Sequence, residues 1–421
     1  MQTAKIPIFV SAQPDSPYFH WQLEIYLYQF ATHGIIDRCY ALLGYRGEKP
    51  SDEGLALAKK YPHVLFYKDE RNISVPYYYN PTIRPHLLKK FFTDYPELGA
   101  CVFYHDSDIL LVQMPKFELL INDDICYLSD TISYIGYKYI DGCQKRYIEK
   151  YPSIGQDELL TGMCNIVGVS VDVVKANELN SGGAQYLLKN TDAAFWTEAE
   201  GICQELYSYT KSFHDKYPID RGIQMWTADM WVVLWLLWTR GVQTKIHTTL
   251  DFSWATGSVA DYHRKPIFHL AGVVKEKKEH AGMFHKGSYV GKNLFKEYLR
   301  DPSIFDHVDR NNATYEYLKI MKEIASGTVL EPTKSRFLLD SAGNAWSSVY
   351  QKDETRKIFN RPVWRSADNN YLIFHNNVSW VVTHKKWESE IKERSGGFAS
   401  SNGDEPYEGE WNIPSCIKIL Q

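Results

Sequence analysis

Two carboxylates one residue apart, Asp106 and Asp108, interrupt the apolar run Cys101-Val102-Phe103-Tyr104-His105-Asp106-Ser107-Asp108-Ile109-Leu110-Leu111. A buried strand that ends in two carboxylates directed alike offers hard oxygen ligands to a divalent cation. A lone Asp-x-Asp is a weak signal, and the plain alternative is a turn whose aspartates cap backbone amides. A second group lies far downstream in Phe268-His269-Leu270-Ala271-Gly272-Val273-Val274-Lys275, with the pattern HxxGxxK. A neutral imidazole at His269 can complete a coordination shell begun by carboxylates, Gly272 lets backbone approach a diphosphate, and Lys275 adds positive charge for phosphate. Each residue alone has a bland reading, and it is the pairing of the two motifs that carries information.

The elements that must position these residues alternate. Over the first 115 residues the patterning predicts a strand at Ile6–Val10, a helix at Phe19–His33 that stops at Gly34, and a strand at Cys39–Leu43. It continues with a short helix at Asp52–Lys60, a strand at Val64–Tyr67, a helix at Thr82–Thr93 and a strand at Ala100–Tyr104. Such alternation predicts an α/β fold with a mixed, mainly parallel sheet flanked by helices. Ligands of these sheets bind at the carboxyl ends of strands, and Asp106 and Asp108 fall at one. From 116 to 300 the patterning is mixed, with strands expected at Ile125–Leu128, Asn165–Val169 and Ile267–Leu270. Helices are expected there at Ala184–Leu188, Thr191–Tyr209 and Ala228–Thr239, and a further helix at Tyr315–Ser326 closes a first domain over 1–328. Beyond Gly327 come short strands, turn residues and spaced tryptophans, Trp346, Trp364, Trp380, Trp387 and Trp411. This predicts a separate small β domain over 333–421, whose Trp residues either stack on a glycan or partner or fill the core.

Composition narrows the function classes. The chain has 421 residues, room for two or three domains. A net charge of -4 provides no general basic field for a nucleic-acid backbone, although a local patch runs from Lys275 to Lys286. The seven cysteines are scattered without a CxxC pair, which argues against a disulfide framework or structural zinc and fits a reducing, cytoplasmic compartment. No apolar leader follows Met1, and the longest apolar run, Met230–Trp238, is far short of the ~20 residues that span a bilayer. It reads as a buried helix, so no membrane span is expected.

With both motifs in view, the chain resembles metal-dependent glycosyltransferases of the GT-A fold. Asp106-Ser107-Asp108 and His269 to Lys275 are similar to the metal and diphosphate motifs of glycogenin-type and galactosyltransferase-type enzymes. Ser16-Pro17-Tyr18-Phe19-His20-Trp21-Gln22 and Tyr79-Asn80-Pro81-Thr82-Ile83-Arg84-Pro85 are similar to plant peptidyl hydroxyproline and serine glycosyltransferases. The resemblance covers about residues 6 to 300. It implies a Mn2+ or Mg2+ ion bound by Asp106, Asp108 and His269, with Asp106 also within reach of a ribose. It further implies a diphosphate met by Lys275, or by Lys286 in Phe284-His285-Lys286-Gly287-Ser288-Tyr289, and Arg84 on the phosphate or uracil side of the donor. Asn180-Ser181-Gly182-Gly183-Ala184-Gln185 resembles the turn on which the donor sugar lies, and Asp229 resembles the aspartate that contacts the transferred sugar. The activity so implied moves a sugar from a nucleotide-sugar, a UDP-sugar first of all, to a hydroxyl of a glycan or glycoprotein, with retention favoured. The competing expectations are a carbohydrate-binding protein on a degenerate transferase fold and a transferase acting on modified DNA bases, the latter disfavoured by the acidic balance.

Overall fold

The structure, a computed structural model, describes residues 6–327, 336–340, 344–346, 348–359, 361–366, 369–391, 398–401, 406 and 416–419. It divides into two compact units, Met1–Phe30 with Ile35–Gly327, and Ala31–Gly34 with Thr328–Gln421.

Strands whose residues are apolar on both faces build the centre of the larger unit. In chain order they are β1 (Ile8–Pro14), β2 (Cys39–Tyr45), β3 (Val64–Lys68), β4 (Cys101–His105), β5 (Ile109–Leu111), β6 (Cys126–Asp130), β7 (Gly182–Lys189), β8 (Thr244–Ile246), β9 (Phe252–Trp254) and β10 (Ile267–His269). Seven form one sheet in the order β3-β2-β1-β4-β7-β6-β8. The pairs β3/β2, β2/β1, β1/β4 and β6/β8 are parallel, and β7 runs antiparallel to both β4 and β6. Side chains alternate across this sheet. Val10, Leu42, Val102 and Tyr104 face the helices Ile83–Asp94 and Ala193–Lys216, whereas Phe9, Ala41, Leu43 and Phe103 face the helix Pro17–Thr32. Phe9 meets the edges of Phe30, Phe103 and Phe117 with ring centres 5.5–5.6 Å apart. The mixed, mainly parallel sheet with helices on both faces is the architecture expected from the alternation.

Local chemistry explains where helices begin. Pro17 opens the first helix, where its missing N–H costs nothing. Ser51 caps the helix Asp52–Lys60 by accepting from Gly54 N–H, with Asp52 and Glu53 in the first turn and Lys59 and Lys60 in the last, matched to the helix dipole. The helix Ala228–Thr239 has the expected bounds and is buried from Ala228 to Trp238, as a helix apolar all round must be. Two of its indoles are hydrogen-bonded, Trp231 donating to the Ile135 carbonyl and Trp238 to Thr244 Oγ1, both at 2.9 Å. No helix among the described residues is long and apolar enough to cross a membrane.

Two expectations are overturned. Ala184–Leu188 is not a helix but the middle of β7, buried throughout between β4 and β6. A short, mostly apolar run of five residues suits either structure, and the sheet position decides it. Asn165–Val169 is not a strand. Its first three residues end the helix Glu158–Val167, whose buried side is Leu159, Leu160, Met163, Cys164 and Val167, and Gly168 terminates it at φ +78°.

In the smaller unit, β11 (Arg336–Asp340), β12 (Ser348–Ile358), β13 (Arg361–Ser366), β14 (Tyr371–His375), β15 (Trp380–His384), β16 (Ala399–Ser401) and β17 (Cys416–Ile419) form an antiparallel sheet in the order β16-β15-β14-β13-β12-β11-β17. Trp346, Tyr350, Trp364, Ile373, Trp380 and Val382 form one buried cluster, and Val363, Leu372, Phe374 and Val381 another. Three of the spaced tryptophans are therefore core, while Trp387 is 41% exposed. Trp411 lies outside the described residues.

At the start of β7, a Cβ on Gly182 would come within 2.6 Å of the Ser129 carbonyl oxygen and would also meet Leu128. Gly182→Ala should lower stability by about 1–3 kcal/mol through overpacking, read as a lower urea midpoint. An unchanged midpoint would show that β6 and β7 can separate without cost.

Candidate active site

The chain leaves the large sheet at the two carboxylates. β4 ends at His105, Asp106 to Asp108 turn the chain, and β5 enters a second sheet of order β5-β10-β9. The polar triplet between apolar runs favours this turn, and Ser107 anchors it by donating to Gln22 Oε1 at 3.0 Å. β10 is antiparallel to β5 with His269 opposite Ile109, and Leu270 N–H donates to the Asp108 carbonyl at 2.9 Å. That register brings His269 beside the turn. Its Nε2 lies 3.5 Å from Asp106 Oδ2 and 3.4 Å from Asp108 Oδ1, and one ligand atom from each of the three residues lies within 4.8 Å of the others. The Trp254 ring is parallel to the imidazole within 13°, centres 6.1 Å apart.

Cations neutralise the carboxylates. Arg84 reaches Asp106 Oδ1 with one nitrogen and Asp229 Oδ2 with another, both at 2.7 Å. Lys286 pairs with Asp108 Oδ2. The Tyr79 hydroxyl lies 2.7 Å from Asp229 Oδ1 and 2.5 Å from the Trp226 carbonyl, so its one proton serves one of them at a time. Burial alone would raise both Asp106 and Asp108; Arg84 holds Asp106 below the usual carboxylate range, and Lys286 with His269 does the same for Asp108. Burial pulls the His269 imidazole down, but Asp108 and Asp106 outweigh it and raise it to about 9. Asp106, Asp108 and Asp229 are thus matched by Arg84, Lys286 and His269.

These groups open onto a cavity of about 500 Å3, walled by Tyr18, Tyr104, Tyr134, Tyr186 and Trp254, with the 61% exposed Trp226 also in its lining. Of the residues singled out in the sequence, Arg84, Asp106, Asp108, Asp229, His269, Gly272 and Lys286 line it. Gly272 adopts φ +92°, a conformation other residues resist. Three residues lie outside that lining. Asn180 sits in the turn before β7, donating to Asn177 Oδ1 at 3.3 Å. Gly182 is packed against Leu128 and Ser129, and the cavity takes Ala184 and Tyr186 of the same strand instead. Lys275 is exposed in the segment beyond Gly272. Sequence reasoning gave no role to Tyr79, which begins a segment already singled out, or to Gln185, which ends another and is a lone amide in an otherwise apolar run of β7.

A second ion pair lies at the entry to the helix that carries Arg84. Arg71 grips Asp69 with Nε at 2.8 Å and Nη2 at 3.0 Å, and also donates to the Asn80 carbonyl and to Thr82 Oγ1 at the entry to the helix Ile83–Asp94. Burial would raise the Asp69 carboxyl, but Arg71 and Arg46 hold it below its ordinary value.

A depressed carboxyl contributes stability above its unfolded value of about 3.9, and loses it as pH falls through the folded value. Asp69→Asn should therefore be less stable at neutral pH and lose less stability below about pH 4. Urea titrations across that range would show parallel curves if the pair were inert. Arg84→Met should cost on the order of 2 kcal/mol, less than the full penalty for breaking a buried pair because the side chain is 29% exposed. Adding Asp229→Asn should restore part of that loss, and strict additivity of the two changes in a double-mutant cycle would deny the coupling.

No family model and no curated protein sequence matches the chain. Solved structures similar to it are glycosyltransferases. The apo bifunctional glycosyltransferase WbbM is 10% identical at a TM-score of 0.38, over 75% of this chain and 52% of that one, so the chain spans about half of its length. The galactosyltransferase LgtC, in complex with donor and acceptor sugar analogues, is 13% identical at 0.31, over 64% and 90%. Mouse xyloside xylosyltransferase 1 in its apo form is 11% identical at 0.32, over 63% and 97%. The chemistry of this site rests on its own geometry.

Proposed function

We propose that this chain is a metal-dependent glycosyltransferase that moves a sugar from a nucleotide-sugar, a UDP-sugar first of all, to a hydroxyl of a glycan or glycoprotein. The observation that carries the reading is the meeting of Asp106, Asp108 and His269 within 4.8 Å at one end of an aromatic cavity. Two carboxylates and one imidazole suit Mn2+ or Mg2+ and leave coordination positions for diphosphate oxygens. The bound ion would offset the charge that develops on the leaving diphosphate.

The remaining roles belong to the side chains. Lys286, which pairs with Asp108, would be available to the diphosphate if an ion held that carboxylate. Arg84 holds Asp106 and Asp229 in fixed directions, so Asp229 can accept hydrogen bonds from the transferred sugar without moving. The tyrosines and Trp254 exclude water, which strengthens these electrostatic contacts and guards the donor against hydrolysis.

Asp106, Asp108 and Asp229 are all ion-paired, so none is free to act as the base an inverting displacement needs. This favours retention. The bond from the anomeric carbon to the diphosphate breaks, the acceptor oxygen bonds that carbon on the same face, and its proton passes to the departing phosphate oxygen.

The test is nucleotide release from a panel of nucleotide sugars with Mn2+, with and without acceptors. Chelation, or Asp108→Asn, should lower turnover on the order of 10³-fold, the several kcal/mol a Lewis acid supplies. Turnover that survives both would overturn the metal-dependent reading, and binding of sugars without nucleotide release would make the chain a carbohydrate-binding protein.

A further inference from the structure

The two nitrogens of His269 face different neighbours. Nε2 points at Asp106 and Asp108, while Nδ1 lies 3.2 Å from the side-chain amide of Gln185. An imidazole that ligates a cation through Nε2 must present a lone pair there, so its proton sits on Nδ1 and needs an acceptor. With the amide nitrogen of Gln185 turned to Nδ1, two donors would oppose each other, and the amide oxygen is then buried without a partner. Oxygen and nitrogen of an amide occupy equivalent positions, and the hydrogen-bond network decides which is which. Reversing the amide exchanges which end lacks a partner and leaves the number of bonds unchanged, so the imidazole's need for an acceptor sets the orientation.

The backbone supplies a second, independent observation. β7 pairs regularly with β4, placing Gln185 opposite His105, but its pairing with β6 slips: Leu128 faces Tyr186 while Ser129 faces Gly183. Ala184 and Gln185 are extra in that ladder, and Ala184 takes φ +66°, a conformation a non-glycine residue resists. Bulges of this kind re-aim a side chain next to functional sites, and the side chain displaced here is the one that meets His269. Gln185 is itself fully buried, an unusual place for an amide unless its position is used.

We infer that Gln185 is the positioning residue of the metal site, its side-chain oxygen accepting the Nδ1–H of His269 so that the Nε2 lone pair is directed between Asp106 and Asp108. The inference rests on the proposed metal site and adds to it the group that selects the tautomer of its nitrogen ligand.

Binding of Mn2+ alone, followed by the electron paramagnetic resonance of the free ion, tests it without turnover. Gln185→Leu should weaken Mn2+ about 10–100-fold, the effect of losing an outer partner of a ligating histidine. Gln185→Glu, which keeps an oxygen facing Nδ1, should bind within a few fold of wild type, a rescue that a packing role would not produce. Equal affinity in wild type and Gln185→Leu, or equal loss in the folded Leu and Glu variants, would overturn the inference. A measurement that needs no variant is the 15N spectrum of His269 in wild type saturated with Mg2+. A protonated Nδ1 is expected, and a protonated Nε2 would refute it. Wild-type protein that binds neither ion removes the metal reading itself, an outcome distinct from the loss of Gln185's role alone.

Discussion

Three carboxylates crowded at low exposure are an unstable arrangement unless cations share the space. Asp106 and Asp108 would each be driven toward the neutral form by burial. What makes the cluster tolerable is the set of groups pointed at it: Arg84 bridging Asp106 and Asp229, Lys286 on Asp108, and His269 between Asp106 and Asp108. Much of the larger unit can be understood as the scaffold for that balance. The helix Ile83–Asp94 brings Arg84, and its entry is tied down by Arg71 and Asp69. The antiparallel pairing of β5 and β10 brings His269, and the segment after β10 brings Lys286.

Under the proposed function, the same balance would serve a divalent ion and an anionic leaving group. In the proposed reading, a cation held by Asp106, Asp108 and His269 would leave a cationic surplus at the cavity, where a diphosphate would lie. The aromatic walls keep the local dielectric low, so the surplus acts at greater strength than it would in water. Tyr104 and Tyr186, stacked across β4 and β7 with ring centres 5.5 Å apart, are part of that wall and of the core beneath it. Packing and chemistry therefore share residues here, and a substitution in one is felt in the other.

How far the fold and the site are legible in the sequence varies with the range of the forces involved. The strand before Asp106 is readable because an apolar run that breaks into charges marks a buried strand reaching its polar end. Ala228–Thr239 is readable because twelve residues apolar on nearly every side must be buried. Ala184–Leu188 is not, since a short, mostly apolar run satisfies either a strand or a buried helix and only the neighbours β4 and β6 decide. Lys275 and Lys286 cannot be separated from spacing alone. Both follow Gly272, but one remains exposed while the other is turned inward onto Asp108. Asn180 and Gly182 stand out as members of a small-residue turn, whereas the bulge that follows in β7 sends Ala184 to the cavity and Gln185 to His269.

The sequence by itself determined the residue types available for chemistry, the order of most strands and helices, and the strand end at which Asp106 and Asp108 sit, because these follow from local polarity and periodicity. It also carried the contrast between the first 327 residues and the Trp-spaced remainder. The tertiary structure alone decided which distant groups share a charge: that Arg84 bridges Asp106 and Asp229, that Lys286 pairs with Asp108, and that Gln185 faces the far nitrogen of His269. Those contacts depend on strand register and on an irregularity in pairing. Register is set by the summed burial of whole strands, so no short stretch of sequence displays it.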